Sequence, residues 1–164
     1  MVEGIIVQPV EASRTYGLRQ QVLRPNLKVE DMALFGDGGP DTGIFGAVDA
    51  ATGEIVGTAN VRREDPPPGL MESVAPHENR DTWRLRGMAT REELRGTGIG
   101  AAVLEACVEH VAARGGGFLW CNARVKARRF YARAGFAEWG DEFQSLDTAH
   151  IAMWRMVSPE GSQG

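Results

Sequence analysis

The segment at residues 95–100 carries the combination of residue types best suited to chemistry. It reads Arg-Gly-Thr-Gly-Ile-Gly and lies between a predicted strand at residues 82–90 and a predicted amphipathic helix that begins near Gly98. A glycine-rich turn that leads into a helix N-terminus binds anions, because backbone N–H groups point outward, the helix dipole adds positive potential, and a phosphate can approach closely. Arg95 adds a permanent positive charge at the edge of the turn. We therefore predict that residues 95–100 bind a phosphorylated ligand.

The residues around these glycines narrow the class of phosphate ligand. A P-loop requires Lys followed by Ser or Thr after its last glycine, whereas two alanines follow Gly100, which argues against an NTPase. The spacing of Gly96, Gly98 and Ala101 matches the dinucleotide fingerprint in form, but that motif needs an acidic residue about 20 residues further on. Residues 115–120, Gly-Gly-Gly-Phe-Leu-Trp, contain no acidic residue. Neither nucleotide motif accounts for the turn.

A second motif follows the glycine-rich turn at a fixed distance. It reads Phe130-Tyr131-Ala-Arg-Ala-Gly-Phe and comes about 30 residues after the last glycine. The arginine-x-x-glycine-x-glycine pattern that begins at Arg95, followed in this order by the aromatic motif, resembles the GNAT family of N-acetyltransferases. The resemblance runs from about residue 83 to residue 136, and Val-Leu-Arg-Pro at residues 22–25 is similar to an uncharacterised bacterial branch of that family.

The resemblance implies acetyl-coenzyme A as cosubstrate. In that family the glycine-rich turn holds the pyrophosphate, and the pantetheine arm lies like an added strand between splayed strands four and five. Gly87 either marks a bulge that opens the splay or is a plain packing glycine. Asn122 either faces the cofactor or is a turn residue that ends strand five. The cofactor-binding residues expected on this basis are Met88, Ala89, Thr90, Arg95, Gly96, Thr97, Gly98, Ile99, Gly100 and Asn122.

The resemblance also implies that Tyr131 is the general acid that protonates the leaving thiolate. A phenol has an ordinary pKa of about 10, so it is protonated at neutral pH, and a thiol has one of about 8.5, so the transfer to the thiolate is uphill by only roughly 2 kcal/mol. On a helix over residues 125–134, neighbours point about 100° apart, which would bury Phe130 against the sheet and direct Tyr131 toward the splayed strands. The alternative is a tyrosine whose ring only packs.

No general base is assigned from the sequence. The candidates are Glu92, Glu93, Glu142 and His150, or a water molecule.

The expected reaction is transfer of the acetyl group to a primary amine by direct attack, with a small molecule as acceptor. Cys107 or Cys121 as an acyl-carrying nucleophile is disfavoured, because neither has a flanking base. Two alternatives stay open: acetylation of a protein or peptide, and a non-catalytic acyl-coenzyme A sensor, against which the intact Tyr131 argues. Residues 66–78 and 29–41 would form either a lid over a small molecule or a peptide groove.

The charge distribution agrees with an anionic cofactor. Residues 84–133 carry ten of the 18 basic residues and four acids, a net charge of +6, and the remainder of the chain carries −10. Attraction of a multiply anionic cofactor accounts for the basic segment, while the overall charge of −4 argues against nucleic acid as a partner. The net negative charge of the rest of the chain favours a cationic amine as acceptor. The alternative is that these acids are ordinary solvated surface residues. The acids expected near the acceptor include Glu72, Glu78, Asp141, Glu142 and Asp147.

Length and composition indicate one domain at residues 1–157 and a flexible tail at residues 158–164. A chain of 164 residues with 43% hydrophobic content buries one sizeable core. No apolar run approaches the ~20 residues that span a bilayer, and the start lacks the order of a signal peptide, so we expect a cytoplasmic protein without a membrane partner. A homodimer is compatible with the sequence.

The cysteines and histidines are those expected of a protein that resides in a reducing compartment and binds no metal. Cys107 and Cys121 fall in a predicted helix and an apolar strand, so buried free thiols are expected. His77, His110 and His150 lack metal-ligand spacing, and no metal site is predicted.

The order of predicted elements is β-α-β-β-β-α-β-α-β-β. We expect an α/β (α+β) fold in which helices flank a mixed, mainly antiparallel central sheet, and the resemblance implies that strands four and five splay apart. Residues 66–80 are expected to be irregular after Pro66-Pro67-Pro68-Gly69.

Overall fold

The computed structural model describes residues 3–35, 38–75, 81–145 and 147–161. The strands in these ranges are β1 (Ile5–Pro9), β2 (Gly43–Asp49), β3 (Ile55–Arg63), β4 (Thr82–Thr90), β5 (Gly117–Arg124), β6 (Ala137–Ser145) and β7 (Thr148–Val157). The α-helices are α1 (Tyr16–Leu23), α2 (Leu70–Val74), α3 (Ile99–Ala113) and α4 (Arg128–Arg133). Short 3-10 helices occupy Ala12–Thr15, Val29–Phe35, Glu92–Leu94 and Val125–Ala127.

The first helix shows how local sequence sets the element bounds. The first helical segment begins as a 3-10 turn at Ala12–Thr15, and α1 follows it directly. The helix ends at Leu23 and Arg24 leaves the helical region with φ −141°, as expected for a residue that precedes Pro25.

The prediction of irregular structure throughout residues 66–80 is wrong, because α2 lies within that segment. Gly69 begins the helix with φ 91°, and its N–H donates to Glu72 Oε2 at 3.0 Å. Ser73 Oγ donates to the Gly69 carbonyl at 2.6 Å, and Leu70 is fully buried. A helix of five residues gives too few turns for hydrophobic periodicity to be visible in the sequence.

The strands form a mixed sheet with the order β1-β2-β3-β4-β5-β7-β6, which confirms the expected sheet type. Antiparallel pairs join β1 to β2, β2 to β3, β5 to β7 and β6 to β7. β4 pairs in parallel with β5, and Arg84 opposite Trp120 is the last pair of that register. The splay of the two strands stays a prediction.

Two compact units are distinguished within the chain, and the first comprises Met1–Arg62 with Leu85–His110. Its β2–β3 connection is a hairpin: the N–H of Asp49 donates to the Glu54 carbonyl at 2.9 Å, and the N–H of Gly53 donates to the Asp49 carbonyl at 2.7 Å. The predicted apolar face of α3 is buried through Val103, Leu104, Cys107 and Val108.

The second unit comprises Arg63–Arg84 with Val111–Gly164. Its hydrophobic cluster consists of Leu70, Phe118, Trp120 and Ala152, with Trp139 and Trp154 packed against it. Phe118 and Trp154 stack at 5.5 Å between ring centroids with 4° between planes. All four tryptophans of the chain lie in this unit: Trp83, Trp120, Trp139 and Trp154.

Both cysteines are buried free thiols, as predicted. In the part of the chain that the structure describes, no helix is long and apolar enough to cross a bilayer. Within the same ranges, no group of three or more His, Cys, Asp or Glu side chains is placed to hold a metal ion.

Candidate active site

The glycine-rich turn adopts a backbone that favours glycine at two positions. Arg95 follows the 3-10 helix Glu92–Leu94 with an extended backbone (φ −66°, ψ 145°). Gly96 and Gly98 have φ of 80° and 91°. Both values lie in the left-handed region, where residues with a Cβ are strained. The backbone of the turn therefore explains the glycines at these two positions.

The turn presents the positive end of a long helix. α3 begins at Ile99 and runs for 15 residues. The N–H of Ala102 donates to the Gly98 carbonyl at 3.1 Å, so the amides before it have no acceptor inside the helix. Arg95, Gly96 and Gly98 are exposed, and Arg95 has no ion-pair partner among the described residues. These donors and this charge fit a phosphate group.

Hydrogen bonds to neighbouring segments fix the turn. Thr97 Oγ1 donates to the Leu94 carbonyl at 2.5 Å. The N–H of Arg91 donates to the Val56 carbonyl at 2.9 Å, and the Arg91 guanidinium bonds Glu54 Oε2 at 2.9 Å. The segment that leads into the turn is thereby bonded to β3, and Thr97 ties the turn to the end of the preceding 3-10 helix.

A glycine in β3 lets both the start of α3 and the end of β4 approach closely. A Cβ on Gly57 would lie 2.7 Å from Ile99 Cγ2 and 3.8 Å from the Ala89 carbonyl oxygen. Ile99 is fully buried and Ala89 is 2% exposed. Within the first unit, the structure therefore brings together two groups of predicted cofactor residues, those of β4 and those of the turn.

The three predicted pantetheine contacts form the end of β4. Ala89 points into the interior, while Met88 and Thr90 are half-buried. Gly87, just before them, has φ 67° in the middle of the strand. This conformation is that of an irregularity in the strand rather than of a packing glycine in regular β geometry.

Two buried polar side chains beside Gly87 were missed by sequence reasoning. A Cβ on Gly87 would lie 2.8 Å from Asn60 Nδ2 and 3.4 Å from Arg19 Nε. The two residues are 41 positions apart in the sequence, on β3 and α1. Nothing in either local pattern indicates that they meet.

Asn122 lies in the second unit, in the interior of β5. It pairs with Ala152 of β7 and is half-buried between the buried Cys121 and Ala123. The strand continues to Arg124. The interpretation of Asn122 as a residue that ends strand five is therefore wrong, whereas its contact with the cofactor stays a prediction.

Tyr131 lies in α4 of the second unit and is 7% exposed. Its ring makes edge-to-face contacts with Phe130 at 5.1 Å and with Phe136 at 5.6 Å between centroids. The expectation that Phe130 is the buried neighbour is wrong, since Phe130 is half-buried. The reason is that the segment begins as a 3-10 helix at Val125–Ala127. A 3-10 helix turns about 120° per residue and an α-helix about 100°, so three residues of 3-10 helix rotate the side chains that follow by roughly 60°.

The candidate bases have different surroundings. Glu92 and Glu93 are exposed, and Glu93 lies 3.3 Å from Arg91 Nε. His150 is 8% exposed, and its Nδ1 lies 2.8 Å from the Thr148 carbonyl oxygen. Its ring stacks on Phe143 at 5.8 Å.

The acids expected near the acceptor fall into two groups. Glu72 caps α2, and Glu142 Oε2 accepts a hydrogen bond from Arg128 Nη1 at 3.0 Å. Asp141 and Asp147 are exposed. Glu78 lies outside the described residues.

The two thiols are held in their protonated form. Burial raises the pKa of Cys107 far above its ordinary range. Burial also raises the pKa of Cys121 to about 12, an effect that the charge of Arg84 partly offsets. A thiol nucleophile must ionise, so neither environment suits an acyl-carrying cysteine.

Residues 13–136 match the family described as the Acetyltransferase (GNAT) family. The chain belongs to this family. It is accordingly an acetyl-coenzyme A-dependent acyltransferase, and the turn at residues 95–100 and the β4 residues lie inside the matched region.

Individual relatives match this chain over nearly its whole length. The chain is 29% identical over 155 residues to the uncharacterized N-acetyltransferase YitI of Bacillus subtilis, which covers 92% of this chain and 95% of that protein. The structure of NAA60 from Arabidopsis thaliana in complex with acetyl-CoA superimposes with a TM-score of 0.70 at 15% identity, covering 93% of this chain and 98% of that one.

A histone acetyltransferase HPA2 and related acetyltransferase from Corynebacterium glutamicum gives a TM-score of 0.65 at 22% identity, covering 98% and 99% of the two chains. At these identities the structural neighbours establish the GNAT fold and not the acceptor.

Proposed function

We propose that this GNAT enzyme transfers the acetyl group of acetyl-coenzyme A to the primary amine of a small molecule by direct attack. The observation that carries the proposal is the left-handed glycine turn at the N-terminus of α3, with Arg95 exposed beside it. A helix N-terminus with uncapped amides is a site for phosphate. The basic charge of residues 84–133 adds long-range attraction for the anionic cosubstrate.

The remaining cofactor contacts follow from the strand that precedes the turn. Met88, Ala89 and Thr90 would pair their backbone groups with the pantetheine arm, since an arm of fixed shape needs strand geometry rather than particular side chains. Asn122 would contribute a side-chain amide from β5. When bound, acetyl-coenzyme A supplies an acetyl group activated as a thioester.

Two proton transfers fall to the chain and its solvent. The attacking amine must be neutral, and Glu92, Glu93, Glu142, His150 or water would accept its proton. Backbone N–H groups of β4 would stabilise the negative charge on the carbonyl oxygen. The hydroxyl of Tyr131 would donate its proton to the departing sulfur, and its ring packs edge-to-face against Phe130 and Phe136.

The protonated state of both cysteines favours direct attack over a covalent acyl-enzyme. A thiol with a pKa of about 12, as at Cys121, is almost entirely neutral near pH 7. We therefore expect sequential kinetics and no burst of free coenzyme A before an acceptor is added.

Gly98→Asp tests the binding site. The substitution adds a carboxylate where a phosphate would lie, so calorimetry should show acetyl-coenzyme A binding reduced to near background. Gly53→Asp is the matched control, because Gly53 has a similar φ of 75° and open space around it in the β2–β3 hairpin. Wild-type affinity in a folded Gly98→Asp protein would refute the assignment.

Tyr131→Phe tests the general acid. It removes the hydroxyl and keeps the ring, so kcat should fall by about 10²–10⁴ while the KM for acetyl-coenzyme A stays nearly constant. Tyr16→Phe controls for loss of a phenol, since these are the two tyrosines of the chain. Full kcat in Tyr131→Phe would leave the hydroxyl a packing group.

The class of acceptor is tested by thiol release with a panel of amines. The exposed Asp141 and Asp147 favour a small cationic amine, whose turnover should weaken as salt is added. Peptides with a lysine or a free N-terminus form the second arm, and small amines that carry a carboxylate form the third. Turnover of peptides alone would establish protein acetylation, and binding without thiol release from any acceptor would favour a sensor.

A further inference from the structure

Gly87 interrupts regular strand geometry in the middle of β4. Its φ of 67° lies in the left-handed region, although Leu85 before it and Ala89 after it keep the inward direction of an alternating strand. A left-handed residue inside a strand turns the adjoining peptide groups out of the hydrogen-bond ladder. Met88 follows directly, so the conformation of Gly87 sets the direction of the Met88 N–H.

Two polar side chains pack against this glycine from different elements. Asn60 Nδ2 lies 2.8 Å, and Arg19 Nε 3.4 Å, from the position that a Cβ on Gly87 would occupy. Both residues are almost fully buried, with 3% and 2% of their surfaces exposed. A side chain at position 87 would overlap Asn60 and crowd Arg19, so the glycine is what lets the two side chains pack here.

Arg19 is held in place by its own helix. Its Nη1 donates to Thr15 Oγ1 at 3.4 Å, one helical turn earlier, and its guanidinium lies 5.7 Å from the centre of the Tyr16 ring. Thr15 is fully buried and its hydroxyl donates to the Ala12 carbonyl at 2.7 Å. This chain of contacts connects the start of α1 to the irregular point of β4.

We propose that Asn60 and Arg19 hold Gly87 in its left-handed conformation and thereby direct the backbone N–H of Met88 toward the acyl group. This inference rests on the proposed function, in which N–H groups of β4 stabilise charge on the reacting carbonyl. Burial of an amide and a guanidinium costs free energy that apolar side chains would avoid. Close packing of two nearly fully buried side chains against the glycine leaves its backbone little room to change conformation. Asn60 and Arg19 are thus positioning residues that act through Gly87.

The test compares Asn60→Ala with Thr58→Val. Thr58 lies two residues away on β3, is 1% exposed, and loses a 2.8 Å hydrogen bond to the Phe45 carbonyl, so it matches Asn60 as a buried polar residue. None of the three atoms nearest to an added Cβ on Gly87 belongs to Thr58. Asn60→Ser serves as a milder variant if Asn60→Ala does not fold. For each protein we would determine a crystal structure, kcat, and the KM for acetyl-coenzyme A.

The expected result is that φ of Gly87 leaves the left-handed region in Asn60→Ala, with a fall in kcat of about 10²-fold, as for a displacement of about 1 Å, and little change in KM. Thr58→Val should keep both the conformation and kcat. An unchanged Gly87, or a kcat equal to that of Thr58→Val, overturns the inference. If the wild-type protein releases no thiol with any amine, the proposed function fails, and the Gly87 conformation still decides whether Asn60 holds it.

Discussion

Replacement of Gly57 by alanine should destabilise the protein through the start of α3. The new methyl group would lie 2.7 Å from Ile99 Cγ2, which is about 1 Å closer than a normal carbon–carbon contact. Ile99 is fully buried and β-branched at χ1, so it cannot rotate away freely. Overpacking of this kind costs about 1–3 kcal/mol. For a chain of this length, that corresponds to a fall in Tm of about 2–12 °C.

Gly17→Ala is the matched control, because it makes the same chemical change with the opposite expected sign. Gly17 lies in α1, and apart from its two neighbours in the chain and the backbone of its own helix, nothing lies within 4 Å of an added Cβ. The change should stabilise by about 0.4–1 kcal/mol, because it reduces the freedom of the unfolded chain. Thermal unfolding followed by circular dichroism measures both effects.

The same displacement should also reach the phosphate site. Ile99 is the first residue of α3, so a shift of its side chain moves the turn at residues 95–100 and raises the KM for acetyl-coenzyme A in Gly57→Ala. Gly17→Ala should leave this KM unchanged. A Gly57→Ala protein as stable as the wild type would refute the packing argument, and lost stability with an unchanged KM would refute the connection to the turn.

Two further predictions concern titratable groups. Because burial raises the pKa of Cys107 and Cys121, a thiol reagent should label neither in the native protein and both after unfolding, which a timed thiol assay measures. Hydrogen bonds from Arg128 lower the pKa of Glu138, so this pair stabilises the fold above the ordinary pKa of a glutamate and loses its effect as the pH falls through the lowered value. The difference in urea stability between the wild type and Arg128→Met should therefore be greatest near neutral pH and vanish in acid, and a difference that grows in acid would contradict it.

The parts of the fold that the sequence predicted are those set by local patterns. The alternation of β4 and the apolar face of α3 each follow from a period visible in one segment. α2 was missed because five residues are too few to show a period. The half-buried position of Phe130 could not be predicted, because a 3-10 start leaves no distinct mark in composition.

The candidate site divides in the same way. The glycines of the phosphate turn could be predicted, since their spacing is contiguous and φ of Gly96 and Gly98 requires their residue type. Gly57 and Asn60 could not be predicted as supports of the site, because their roles depend on contacts with residues far along the chain. The spacing of residues along the sequence does not give the distance between residues of different elements. That distance follows only once the pairing of the strands is known.

Because of where the tryptophans lie, their fluorescence can report whether the two units unfold together. Trp83, Trp120, Trp139 and Trp154 all lie in the second compact unit, two of them almost fully buried, so native tryptophan emission originates from that unit. Far-ultraviolet circular dichroism, by contrast, reports the backbone of both units. Coincident denaturation curves from the two signals would mean that the units unfold in one step, and separated curves would mean that one unit persists without the other.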